Sequence, residues 1–100
     1  MAVQWKNEQT DQLCEALLSL QTKDEVYDFI EDIATVQEVK ALAQRLEVAR
    51  RLMNGESYPQ ICQTTGASTA TISRVKKVVD YGKDSLRLAL QRLKGGHGND

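Results

Sequence analysis

Apolar residues recur at intervals of three and four along almost the whole chain, and very little alternates at two, so the pattern predicts an all-α protein. Six helices are expected, over about 4–20, 23–33, 36–53, 58–65, 69–80 and 85–94. The first aligns Leu13, Leu17 and Leu20, and the second Val26, Phe29, Ile30 and Ile33. The third is the longest, with Val39, Leu42, Ala43, Leu46, Ala49, Leu52 and Met53 on one side. Three helix starts are written locally: Thr22–Glu25 (TKDE), Thr35–Glu38 (TVQE) and Ser57–Gln60 (SYPQ) each fit a capping box, in which a hydroxyl and a carboxylate or amide three residues on satisfy each other's free backbone amides. Pro59 falls in the first turn of the fourth helix, where a missing N–H costs nothing. Gly55 suits a left-handed cap closing the third helix, and Gly82 is expected to close the fifth in the same way. The last residues, KGGHGND, have three glycines and no apolar side chain, so 95–100 reads as a disordered tail.

The first two helices are short and strongly apolar on one side, and six helices in 100 residues leave little interior for a single chain. A homodimer would cover those faces. Residues 1–94 then form one helical domain, in which 1–56 and 85–94 dimerise and 57–80 form a separate motif.

That motif is a helix-turn-helix. Two short helices meeting at a steep angle need particular residue types at fixed offsets, and the segment from Tyr58 supplies most of them. Ile61 points into the angle, Cys62 is small where the helices approach, and Gly66 permits the turn. Ser68 caps the second helix, which Ile72 and Val75 seal against the first. Thr65 departs from the pattern, since a larger apolar residue is usual there; looser packing, or packing completed by its methyl, is expected. At 100° per residue, Val75, Val79 and Ser68 share the side of Ile72, while Ala70, Ser73, Arg74 and Lys77 take the other, flanked by Thr69 and Thr71.

Charge sharpens the picture. The net charge is −1, but residues 1–38 hold two basic residues against nine acidic, a net of −7, and residues 39–100 hold eleven against five, a net of +6. From Ser57 to Val79 there is no Asp or Glu at all. A surface facing phosphate must be cleared of carboxylates, and short side chains let a helix approach base edges closely. The candidate DNA-binding residues are therefore Ser68, Thr69, Ala70, Thr71, Ser73, Arg74, Lys76 and Lys77. Arg74 suits bidentate guanine readout, Ala70 and the Thr methyls suit thymine methyls, and Lys76 and Lys77 suit phosphates. The rival reading is a helical dimeric protein-interaction module whose helix-turn-helix reads nothing.

Other chemistries are disfavoured. The one histidine, His97, falls in the glycine-rich tail, and no nucleophile, base and orienting group can be assembled, so no enzyme is expected. Asp24, Glu25, Asp28, Glu31 and Asp32 follow a solvated helical face, and no metal is expected. Cys14 and Cys62 lack metal-like neighbours and read as reduced thiols. With no apolar leader and no membrane-length apolar run, the expected location is the cytoplasm.

From about Leu13 to Leu93 the chain resembles the Trp repressor superfamily, most closely its YerC/YecD-type branch. The likeness is sharpest in RLEVARRLMNGESYPQICQTTGASTATISRV, where GE, GAS and ATISR stand where the repressor has closely similar residues. The resemblance implies a six-helix intertwined homodimer, with the first, second, third and last helices interlocked across a twofold axis and the fourth and fifth forming a DNA-reading head. It also implies an effector pocket. Arg45 and Arg74 match the two arginines that flank tryptophan in the repressor. Val75, however, stands where the repressor has a glycine that leaves room for the indole, and Val78 where a serine helps hold the amino group. The repressor also has one more residue between GE and GA. The expectation is a double-stranded-DNA regulator without a cofactor that works without tryptophan, or with another effector.

Overall fold

The computed structural model describes residues 5–97. They form six helices: α1 (Glu8–Ser19), α2 (Lys23–Ile33), α3 (Val36–Met53), α4 (Tyr58–Thr65), α5 (Thr69–Tyr81) and α6 (Ser85–His97). The expected all-α, six-helix architecture is present, and the described residues contain no strand.

The helix starts follow local chemistry. At Thr35 and Ser57 the reciprocal boxes form as expected: Thr35 N–H donates to Glu38 at 2.8 Å and Glu38 N–H to the Thr35 hydroxyl at 3.1 Å, with Ser57 and Gln60 paired likewise at 2.9 and 3.4 Å. The box expected at Thr22 is displaced by one residue. Glu25 N–H does donate to the Thr22 hydroxyl at 3.1 Å, but the Glu25 carboxylate accepts from the N–H of Gln21, at 2.8 Å, instead of from Thr22.

Two expected boundaries and one expected cap conformation need correction. Helix α1 starts at Glu8, not near residue 4, because Asn7 caps it: the Asn7 side chain accepts from Thr10 N–H at 3.0 Å while the Thr10 hydroxyl accepts from Asn7 N–H at 2.8 Å. Residue 4 itself lies outside the described residues. Helix α6 continues to His97, three residues beyond the expected end, so 95–97 are helical; 98–100 lie outside the described residues. No proline intervenes, and a glycine costs an established helix only about 1 kcal/mol. Gly82 does end α5, but with φ −84° it is not left-handed. Its need for glycine is steric, since a Cβ there would strike the Val78 carbonyl oxygen.

By Cα proximity the chain divides into two units, residues 1–39 and 40–100. The boundary falls beside the change of charge sign in the sequence. In the first unit α1 and α2 bury no residue, and Leu17, Leu18, Tyr27 and Ile33 are all exposed. The second unit holds the core: Val48, Ala49, Ile61, Ala67, Ile72, Val75 and Val79, with Leu52, Met53, Tyr58, Cys62, Leu86 and Leu90 packed against it. Val48, Ile61 and Ile72 are wholly inaccessible to water, and each such side chain contributes about 1.5–3 kcal/mol of burial.

The corner from α3 into α4 is fixed twice. Gly55, with φ 82°, lets its N–H reach Leu52 O at 3.0 Å and Glu56 N–H reach Arg51 O at 3.1 Å, a Schellman closure. The Arg51 side chain then grips the Glu56 carboxylate at 3.0 and 3.2 Å.

Candidate nucleic-acid interface and the adjoining groove

Helices α4 and α5 meet through Gly66, whose φ of 76° is the left-handed conformation glycine adopts without strain. Thr65 does more than fill space. Its hydroxyl donates to Ile61 O at 2.6 Å and accepts from Ala67 N–H at 3.1 Å, so it ties the turn to α4. From α3, Gln44 Nε2 donates to the Thr65 carbonyl at 3.1 Å. Thr65 thus uses its hydroxyl at a position where the sequence suggested looser packing or packing completed by its methyl. Gln44 and the buried Ala67 were not singled out in the sequence; the small residue directly after the turn glycine was the available signal for Ala67.

Ser68 caps α5 by accepting from Thr71 N–H at 3.1 Å. The inward side of α5 carries Ile72, Val75 and Val79, all buried at the i, i+3, i+7 spacing of a core stripe. Ser68, Thr69, Ala70, Ser73, Arg74, Lys76 and Lys77 are exposed, and Thr71 is half-buried. The structure therefore gathers the eight sequence-selected residues onto one helix and its cap.

Their electrostatics differ. Lys76 Nζ lies 2.9 Å from the Asp80 carboxylate, whose hydrogen bond raises the Lys76 pKa above its ordinary value. Arg74 and Arg45 have no carboxylate within ion-pair distance among the described residues. Arg50 and Arg51, by contrast, are committed: Arg50 holds Glu47 at 2.7 and 2.9 Å, and Arg51 bridges Glu47 and Glu56. The Arg50 hydrogen bond is the main cause that lowers the Glu47 pKa to about 2, with Arg51 adding to it and partial burial opposing.

Beside the exposed side of α5 lies a groove of about 420 Å³. Arg45, Thr71, Arg74, Val75 and Val78 line it, with Leu42, Leu46 and Leu86. The four residues selected as an effector pocket, from α3 and α5, thus border one space. A larger groove of about 600 Å³, lined by Arg50, Met53, Leu90, Leu93 and Lys94 among others, includes none of the candidate DNA-binding residues. Among the described residues no cluster of three His, Cys, Asp or Glu could hold a metal, Cys14 and Cys62 are free thiols, and no helix is long and apolar enough to cross a membrane.

A capped, basic second helix set across a glycine turn from a shorter first one defines a helix-turn-helix protein with a DNA-binding regulator fold. The chain belongs to the Trp repressor family, whose model, described as Trp repressor protein, matches residues 8–94. It is 49% identical over 89 residues to the uncharacterized protein YerC of Bacillus subtilis (strain 168), covering 89% of this chain and 86% of that protein. Its fold is similar to the crystal structure of a TrpR like protein from Eubacterium eligens ATCC 27750, with TM-score 0.87, 45% identity and coverage of 91% of this chain and 94% of that one. A second solved structure, from Staphylococcus aureus, also matches at TM-score 0.87, with 41% identity over 91% of each chain.

Proposed function

We propose that this protein is a cytoplasmic, sequence-specific transcriptional regulator, not an enzyme, that binds an inverted-repeat operator as a homodimer by laying α5 in the major groove. The observation that carries the reading is the exposed side of α5: Thr69, Ala70, Ser73, Arg74 and Lys77 are short or basic, and Arg74 has no competing carboxylate. Base edges are read by such side chains at the start of a recognition helix. The dimer reading is supported by α1 and α2, in which no residue is buried and Leu13, Leu17, Leu18 and Ile33 are exposed in one chain. Tryptophan is not the effector in this reading, because Val75 and Val78, which line the groove with Arg45 and Arg74, stand where the repressor has a glycine that leaves room for the indole and a serine that helps hold the amino group.

Selection of bound sequences from a random duplex pool, at moderate salt with no added ligand, tests it. Enrichment of an inverted repeat with half-sites roughly 34 Å apart is the expected result. The rival, a protein-interaction module, predicts no enriched sequence and affinity for its partner nearly indifferent to salt. Calorimetry showing saturable tryptophan binding would remove the tryptophan-independent part.

A further inference from the structure

The exposed side of α5 runs past its cations to a residue that the sequence did not single out. Resting on the reading of α5 as a recognition helix, we infer that Tyr81 donates its hydroxyl to a DNA phosphate at the rim of the major groove and so fixes how far α5 enters it. At 100° per residue, Ala70, Arg74, Lys77 and Tyr81 fall within about 60° of one another, opposite the buried stripe of Ile72, Val75 and Val79. All four are exposed. Tyr81 is 84% exposed, so both its ring and its hydroxyl are open to a partner on the side where Arg74 and Lys77 also point.

Position along the axis selects a phosphate over a base. Thr69 and Tyr81 are the two ends of a 13-residue helix, a rise of about 18 Å, whereas the major groove is about 12 Å wide. A recognition helix sets its first turns against base edges, so Tyr81, about 10 Å along the axis from Arg74, stands out at the phosphates. Tyrosine hydroxyls are ordinary donors to DNA phosphates. Among the described residues the Tyr81 hydroxyl enters no side-chain hydrogen bond, so none is given up. The two carboxylates nearest in the chain, Asp80 and Asp84, each lie within ion-pair distance of a cation, Lys76 at 2.9 Å and Arg87 at 4.0 Å, which lessens their repulsion of the duplex. Tyr81 also falls outside the segments 1–56 and 85–94 expected to dimerise, so a second copy of the chain is not expected to cover it.

Tyr81→Phe removes only the hydroxyl, and fluorescence anisotropy on the selected duplex, between roughly 50 and 200 mM salt, tests the contact in the full chain. The variant should bind about tenfold more weakly, with its base preferences, its dimer state in sedimentation and its helical circular-dichroism signal unchanged. A neutral hydroxyl releases no counterion, so the slope of log affinity against log salt should stay that of the wild type; Lys77→Ala, the comparison, should lower it by about one. A neutral methylphosphonate at one flanking phosphate of each half-site should weaken the wild type more than Tyr81→Phe. Wild-type affinity in Tyr81→Phe, a loss confined to particular base pairs, or dissociation of the dimer without DNA overturns the inference while the operator reading stands. If the wild type enriches no duplex sequence, the operator reading fails and the contact fails with it.

Discussion

The side-chain amide of Gln44, midway along α3, donates to the backbone carbonyl of Thr65 at the last residue of α4, 3.1 Å away. Through that bond the helix next to the groove holds the turn of the reading head. Gln44→Leu removes it and leaves a half-buried carbonyl unpaired. The expected loss is about 1 kcal/mol in urea unfolding, with weaker binding to an operator duplex by fluorescence anisotropy. Unchanged affinity after the stability loss would show that the turn keeps its position without the tie.

The glycines should rank by mechanism. Gly66→Ala forces a side chain into the left-handed region at a cost of about 1–2 kcal/mol. Gly82→Ala should cost more, because the new Cβ meets a backbone oxygen that cannot swing away. Gly95→Ala meets open space and should stabilise α6 by up to about 1 kcal/mol. Thermal melts of the three variants in parallel would expose any other order.

Acid should act through Glu47. Its folded pKa, about 2, lies below the ordinary value of 4.5. A lowered carboxylate contributes stability that is present in full above its unfolded pKa and is lost as pH falls through the folded one. The loss therefore spans roughly pH 4.5 to 2. Solvent screening makes it modest, since the Glu47 side chain is 38% exposed. Glu47→Gln should flatten this limb of a stability-versus-pH curve and lower stability at neutral pH; an unchanged acid limb would place the titration elsewhere.

On α5 the cations should separate by role. Arg74→Ala should cost about 1–3 kcal/mol and relax base preference, whereas Lys77→Ala should weaken all sequences alike and reduce the salt slope by about one. Asp80→Asn frees Lys76 from its ion pair and should raise affinity for every duplex while steepening the salt dependence. If Arg74→Ala weakens all sequences equally, its part is electrostatic only.

The elements most legible in the sequence were those written by local rules. The boxes at Thr35 and Ser57, Pro59, and the glycines at 55 and 66 each satisfy backbone groups within a few residues, and the boundaries of α2, α3 and α4 follow from them. The errors lie where one local rule had a less familiar substitute: Thr10 serves in place of a carboxylate or amide at the third residue of α1, and Glu25 reaches one residue further back than its box implies. Contacts between distant segments were not legible. The tie from Gln44 to Thr65 does not follow from periodicity, because it depends on where a long side chain ends after the helices have packed; the pair Lys76–Asp80, by contrast, is an i, i+4 contact within α5 that helical spacing makes legible. The groove residues were reached through the family likeness of Arg45 and Arg74, since spacing alone does not bring residues 29 positions apart together.

The confinement of the buried core to residues 40–100 also bears on synthesis. The N-terminal helices leave the ribosome before the core, with 12 and 11 residues each and no fully buried residue in either. Helices of that length are marginal in water by themselves. The early chain therefore waits with Leu17, Leu18 and Ile33 uncovered while Ile61 and Ile72 are still to be translated, and surface of that kind is where a nascent chain is most prone to aggregate.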